Sequence, residues 1–220
     1  RAAPGGPFSS ERKLAPEVEA ALNAQYHLDA PVPLQIVYYL QGAVQGDLGP
    51  STQYKDRRVS DIVLSGFAIS LPLGLTALVL ALTIGLGLGM LAAVKHKRWL
   101  DHSAVMLAMI GIAIPSFIIA PLLVLIFAVN LNWLPAGGTG DSGFVLQYWI
   151  MPVIVLALPQ IAVVTRLIRS SLLEVLSSPF IRTARAKGLP ERLVLLRHAI
   201  KPALLPLVSY LGPAAAGIIT

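Results

Sequence analysis

Three stretches of the chain, at 62–94, 103–134 and 148–165, contain no Asp, Glu, Lys or Arg, and a fourth uncharged stretch begins near Pro202. About 20 mostly apolar residues suffice to carry a helix across about 30 Å of hydrocarbon. The second and third stretches are each long enough to span. The first, 33 residues from 62 to 94, would reach about 50 Å as one helix, too long for one upright crossing. Its part up to Pro72 is therefore expected near the interface or as a separate turn, with the span proper ending at Lys95-His96-Lys97-Arg98. Pro115 and Pro121 interrupt the second stretch. Pro115 is expected to disturb one helical turn, either as a hinge or as a fixed packing kink.

Residues 1–61 are of a different character, with prolines at 4, 7, 16, 31 and 33 and charges of both signs. This segment reads as extramembranous. A short helix is predicted between Pro16 and Leu28, where Val18, Leu22 and Tyr26 recur every four residues, and a second from Pro33 to Val44. Gly46-Asp47-Leu48-Gly49-Pro50-Ser51 reads as a turn.

Composition agrees with a bilayer as solvent: 55% of residues are hydrophobic and 13% charged, against roughly 25% charged in ordinary soluble domains. The formal charge of +6 first suggests nucleic acid, but its distribution argues otherwise. Eight of the seventeen Lys and Arg lie from Arg166 to Lys201, and Lys95, Lys97 and Arg98 form a second group. Both groups flank apolar stretches, as cytoplasmic connections do. The connection 135–147 has four glycines and Asp141 but no Lys or Arg, so it is assigned to the outside. Residues 95–102 and 171–201 are then cytoplasmic and 1–61 lies outside. Trp99, Trp133, Tyr148 and Trp149 stand at ends of stretches, where amphipathic rings settle at head-group level. The chain opens at Arg1 and closes at Thr220 inside an apolar run, so it is expected to be a fragment.

Candidate chemistry is sparse. Zero cysteines exclude disulfides and thiolate metal sites. Histidines 27, 96, 102 and 198 show no ligand spacing and are expected in polar loops. Ser116 has no membrane His or Lys to activate it. Gly85, Gly87 and Gly89 follow no strand and precede no Gly-Lys-Ser/Thr, so they make no nucleotide loop. Ala81, Gly85 and Gly89 instead recur every four residues, which suits close helix packing in lipid.

The most informative segment runs from Ser177 to Pro206. Ser178 suits a helix cap, Pro179 the first helical position and Gly188 the stop, while Arg185 and Lys187 sit where the helix dipole favours cations. Phe180 and Ala184 share a face, with Ile181 beside them. A cytoplasmic helix of two or three turns is marginal alone in water, so these three residues are expected to face a partner surface. A basic loop that only sets topology or touches anionic lipid is the plainer alternative.

Ile181-Arg182-Thr183-Ala184-Arg185-Ala186-Lys187-Gly188, followed by Arg197-His198-Ala199, closely resembles the coupling segment of ABC importer permeases in their peptide-transporting form. Gly188 matches the glycine of the broader permease pattern and Ala184 its second alanine. Arg182 and Thr183 replace Glu and Ala, and His198-Ala199-Ile200-Lys201 replaces Ile-x-Leu-Pro, as in the peptide branch. Residues 1–8, Tyr26-His27-Leu28-Asp29, 46–51, Ile114-Pro115-Ser116-Phe117 and Trp133-Leu134-Pro135 resemble further parts of oligopeptide permeases.

The resemblance implies an all-α integral membrane protein, a multi-span helical permease of the ABC type I importer kind. A polar periplasmic segment, 1–61, precedes a truncated transmembrane domain, 62–220, that includes the cytoplasmic coupling segment 171–201. The earlier first span and everything after the start of the fifth would be missing. Phe180, Ile181, Arg182, Thr183, Ala184, Arg185, Ala186, Lys187 and Gly188 would couple the membrane helices to an ATPase. The resemblance also implies a second homologous permease, two ATPase subunits that hold ATP and Mg, and a periplasmic peptide-binding protein. Surrounding membrane lipid is the remaining partner. Neither nucleic acid nor a cofactor or metal in the chain itself is expected, and no substrate-binding residue can be named. Permeases for dipeptides or nickel share the same signatures. An ion-coupled secondary transporter is the alternative class, but it usually needs an ionisable residue within the spans, and the three stretches have none.

Overall fold

The computed structural model describes residues 30–51, 54, 57–138 and 145–219. The helix expected between Pro16 and Leu28 lies outside the described residues. The chain divides into two compact units, Arg1–Ala68 and Ile69–Thr220. Among the described residues the regular secondary structure is helical apart from one isolated bridge, between Pro50 and Arg58.

In the first unit, α1 (Val32–Val44) matches the predicted second helix, with proline at its first turn. The predicted turn follows. Gly46 and Gly49 both take φ of 79°, the left-handed region that glycine occupies without steric cost. The Gly49 N–H donates to Asp47 Oδ1 at 3.0 Å.

Helix α2 (Val59–Val94) corrects the expectation of a break near Pro72, because it is one helix of 36 residues with Pro72 inside. The proline removes one backbone donor. Ending the helix there would strip partners from several more groups among apolar surroundings, which lipid does not forgive.

The second unit gathers the later part of α2 with α3 (Trp99–Ala113), α4 (Ser116–Asn130), α5 (Leu146–Leu176), α6 (Pro179–Ala186), α7 (Glu191–Ala203) and α8 (Leu205–Ile219). Helices α2 and α5 are each long and apolar enough to cross a membrane, and the pairs α3–α4 and α7–α8 qualify as bent spans. The 103–134 stretch is thus two helices meeting at 96° rather than one disturbed helix. Ile114, placed before a proline, leaves the helical region for φ −105°, ψ 120°. Pro115 O then accepts from the N–H groups of Ile118 and Ile119 and starts a new helix. The end of α4, Val124–Asn130, widens into a π-helix. Helix α7 does the same over Val194–Ala199, just before Pro202, which cannot donate to the preceding turn.

The third stretch also extends further than expected, since α5 continues past Arg166 to Leu176. Trp149 is not an interfacial ring: it is buried with Ala77, Ala81, Val153 and Ala157. Trp99 and Trp133 are exposed as expected.

The predicted small-residue face of α2 does meet a neighbour. A Cβ on Gly85 would lie 2.7 Å from the Val164 side chain, and one on Gly89 would lie 2.8 Å from Thr165 O, both on α5. Gly111 of α3 is tighter still, its missing Cβ overlapping the backbone carbonyl of Leu158. Gly87, by contrast, has open space around it.

Gly111→Ala is expected to destabilise the protein by about 1–3 kcal/mol or more through overpacking, because a backbone carbonyl cannot swing away. Gly87→Ala should be neutral or stabilising by up to about 1 kcal/mol, since alanine is the better helix former. Denaturant titration of both variants in detergent micelles measures the contrast, and equal stabilities would contradict this packing.

Candidate functional site

Helix α6 forms where the sequence places it, with Pro179 in its first turn after Ser178. Ser178 does not cap with its side chain, however. Its hydroxyl donates back to Val175 O at 2.6 Å, as Ser177 does to Glu174 O at 2.7 Å. The helix ends in a Schellman arrangement: Gly188, at φ 75°, donates its N–H to Arg185 O, and Leu189 donates to Ala184 O. The short helix therefore starts and stops at defined positions.

Its two faces differ from expectation. Ile181 and Ala184 are buried within the chain's own fold, in a cluster with Ala93, Leu172, Val194, Ala199 and Ala203. They do not face outward beside Phe180. Residues three apart share a helix face, and this face rests on the ends of α2 and α5 and on α7. Phe180 is about half-exposed at 49%, and Arg182, Thr183, Arg185, Ala186, Lys187 and Gly188 are exposed. The outer face is thus one aromatic ring among cations.

Arg185 grips Glu191 at the start of α7 through two nitrogens, Nε to Oε2 at 3.0 Å and Nη2 to Oε1 at 2.5 Å. The hydrogen bonds to this carboxylate raise the Arg185 pKa above its already high ordinary value. Both groups are solvent-exposed, so the pair contributes at most about 1 kcal/mol. Its geometric effect is to hold the turn between α6 and α7.

A polar cluster that sequence reasoning missed lies nearby. Asp101, in the first turn of α3, is 2% exposed. Its Oδ1 accepts from Arg169 Nε at 2.6 Å and its Oδ2 from Arg169 Nη2 at 2.8 Å. The Lys97 backbone N–H donates to Oδ2 at 3.0 Å, and His96 Nδ1 lies 3.1 Å from the same oxygen. His96, expected to be an ordinary loop residue, is therefore part of a structured node. A signal was present: Arg169 falls next to Ile168 and three residues before Leu172, in the buried register of α5, where an unpaired guanidinium would be costly.

This ion pair brings the 95–102 connection to the same end of α5 as α6. The segment 135–138 lies at the opposite end, where Gly138 adjoins the Tyr148 ring. A cleft of about 460 Å³ opens there, lined by Leu73, Val124, Pro135, Tyr148, Met151 and Pro152 among others. Among the described residues no group of three or more His, Cys, Asp or Glu is placed to hold a metal ion.

Comparison with known proteins places these features in context. A family described as the binding-protein-dependent transport system inner membrane component matches residues 85–220. The chain is 52% identical over 220 residues to the oligopeptide transport system permease protein OppB of Escherichia coli K12, covering 100% of the chain and 71% of that protein. It is 48% identical over 221 residues to OppB of Haemophilus influenzae, with 100% and 71% covered. The dipeptide transport system permease protein DppB of Bacillus subtilis is 42% identical over 217 residues, with 99% and 69% covered.

The two faces of α6 predict opposite behaviours on substitution. Ile181→Ala should cost about 2–5 kcal/mol as a buried large-to-small change, and Ala184→Asp several kcal/mol more for an unpaired buried carboxylate. Phe180→Ala should cost less than about 1 kcal/mol, as befits a half-exposed position. Denaturant titration in micelles, with proteolysis of the 177–201 segment as local readout, checks the ordering.

Proposed function

The chain belongs to the family of inner membrane components of binding-protein-dependent transport systems, and from that premise we propose that it is the permease subunit of an ATP-driven importer of oligopeptides in the bacterial inner membrane. It is a transport subunit and not itself an enzyme; ATP hydrolysis belongs to separate ATPase subunits. The observation that carries the mechanism is the division of α6 into an inner apolar face, Ile181 and Ala184, and an outer face of Phe180 and cations. Because Ile181 and Ala184 are anchored on α2, α5 and α7, a push on the outer face is delivered to those helices rather than absorbed by a loose loop. Phe180, Arg182, Thr183, Arg185, Ala186, Lys187 and Gly188 form the surface that meets an ATPase subunit, and Ile181 and Ala184 transmit through the fold.

In the complete assembly this permease pairs with a second homologous permease and with two ATPase subunits, which hold ATP and Mg. An external binding protein delivers peptide to the face bearing 1–61 and 135–147. Residues 95–102 and 171–201 face the cytoplasm, and 62–220 is the transmembrane domain. The presence of both basic connections at one end of α5, the first held there by the Asp101–Arg169 pair, supports this arrangement.

The uncharged stretches favour a wide, weakly selective route, since no fixed charge within them would trap an ionic substrate. Inside them Gln160 accepts a hydrogen bond from Tyr210 and ties α5 to α8. Oligopeptide cargo follows the relatives of highest identity among those named; the dipeptide permease among them makes shorter peptides the alternative.

Uptake of labelled tri- to pentapeptides, dipeptides and nickel in a deletion strain, complemented with the full-length gene, decides the cargo. Longer-peptide uptake should be lost and rescued. Arg182→Glu in the complementing gene should abolish rescue and ATPase association while membrane insertion persists. Rescue confined to dipeptides or nickel would overturn the oligopeptide assignment.

Single cysteines at Ala136 and Ser177, in a chain without native cysteine, should label from opposite sides of the membrane. An impermeant thiol reagent added outside should reach only the first in sealed cells and both after permeabilisation. Labelling of both positions in sealed cells contradicts the orientation.

A further inference from the structure

Asp101 is the one charged residue that is buried among the described residues, and the transport reading above gives it only a part in orientation. Four contacts converge on its carboxylate: two from Arg169, the Lys97 N–H and the His96 ring. Lys97 holds φ of 62°, a left-handed conformation that non-glycine residues adopt at a cost and keep only where surroundings enforce it. The connection between α2 and α3 is therefore a fixed turn built around one carboxylate.

The location of that turn gives it a mechanical consequence. Arg169 lies three residues before Leu172, and Leu172 packs in the cluster that holds Ile181 and Ala184 of α6. Asp101 lies in the first turn of α3, which runs along α5 at Gly111 and Ala108. A guanidinium that meets a carboxylate through two nitrogens fixes orientation as well as distance. The end of α5 is thus joined on one side to α6 and on the other to the start of α3.

We propose that Asp101 and Arg169 are positioning residues of the transport cycle: their pair makes the 95–101 turn and α3 move with the end of α5 when an ATPase subunit displaces α6. The inference rests on the reading of α6 as the ATPase contact. Without the pair, displacement of α6 still shifts α5, and α3 follows only through its packing at Gly111 and Ala108, so its 95–101 end lags and ATP is hydrolysed with less peptide moved. A merely structural bolt would affect assembly and leave the ratio of transport to hydrolysis unchanged.

The test uses the full-length permease in its complete complex, reconstituted in proteoliposomes with the binding protein, and reads labelled peptide moved per ATP hydrolysed. Asp101→Leu/Arg169→Leu removes both charges, so neither is left buried and unpaired. The assembled double variant is expected to hydrolyse ATP within about twofold of wild type while its transport per ATP falls about tenfold, a typical size for a lost coupling. Arg169→Lys keeps the charge but not the two-nitrogen grip, and should fall between the two. An assembled double variant with an unchanged ratio overturns the proposal. Should the double variant fail to assemble, Asp101→Asn is read the same way: a lowered ratio supports the proposal and an unchanged ratio overturns it. Arg182→Glu separates the underlying reading, because normal assembly and transport in that variant would remove α6 as the ATPase contact whatever the pair variants do.

Discussion

Helices that meet in lipid gain nothing from leaving water, because acyl chains are as apolar as leucine; short-range packing and a few polar contacts must hold them together. In this chain the packing converges on α5 and depends on the absence of side chains where neighbours cross it. Gly111 of α3 meets the Leu158 backbone, and Gly85 and Gly89 of α2 meet Val164, Thr165 and Ile168. Alanines 77, 81, 108, 157 and 162 continue the same close approach. With α5 held on both sides, its end becomes a rigid platform that moves as one piece. Everything proposed for α6 and for the Asp101–Arg169 pair presupposes that platform.

The short helix α6 illustrates how little material a defined, docked helix needs. Eight residues cannot sustain a helix in water, and two buried side chains, a first-turn proline and a glycine stop supply what propensity does not. The exposed Arg185–Glu191 pair adds shape rather than much stability. Because the apolar residues are used inward, the outer surface is left to one phenylalanine and several cations. That surface suits reversible contact better than a permanent hydrophobic interface would.

Prolines show the same local chemistry leading to different outcomes. Pro72, Pro152 and Pro159 sit inside continuous helices, Pro115 separates two helices at 96°, and the prolines around α7 and α8 accompany a bend of 47°. Each removes one backbone donor and crowds the preceding turn. Whether the helix bridges the defect, widens into a π turn or starts afresh depends on which surrounding groups can pack against it or accept the freed carbonyls. That is a property of the neighbours, absent from the local sequence.

Much was legible in the chain alone because the bilayer imposes one-dimensional rules. Uncharged length marks the spans, and Pro179 and Gly188 bracket α6 to within a residue or two. The small face Ala81, Gly85, Gly89 announced a close contact without naming the partner helix. Only the tertiary structure decided that Ile181, Ala184 and Trp149 point inward, and that Arg169 closes on a carboxylate 68 residues away. The physical reason is common to all of these. Periodicity tells which residues share a face of a helix, whereas the direction of that face is settled by backbones brought together from distant parts of the chain. An isolated Asp beside His and Lys in a basic loop looks solvated until the guanidinium that desolvates it is in view.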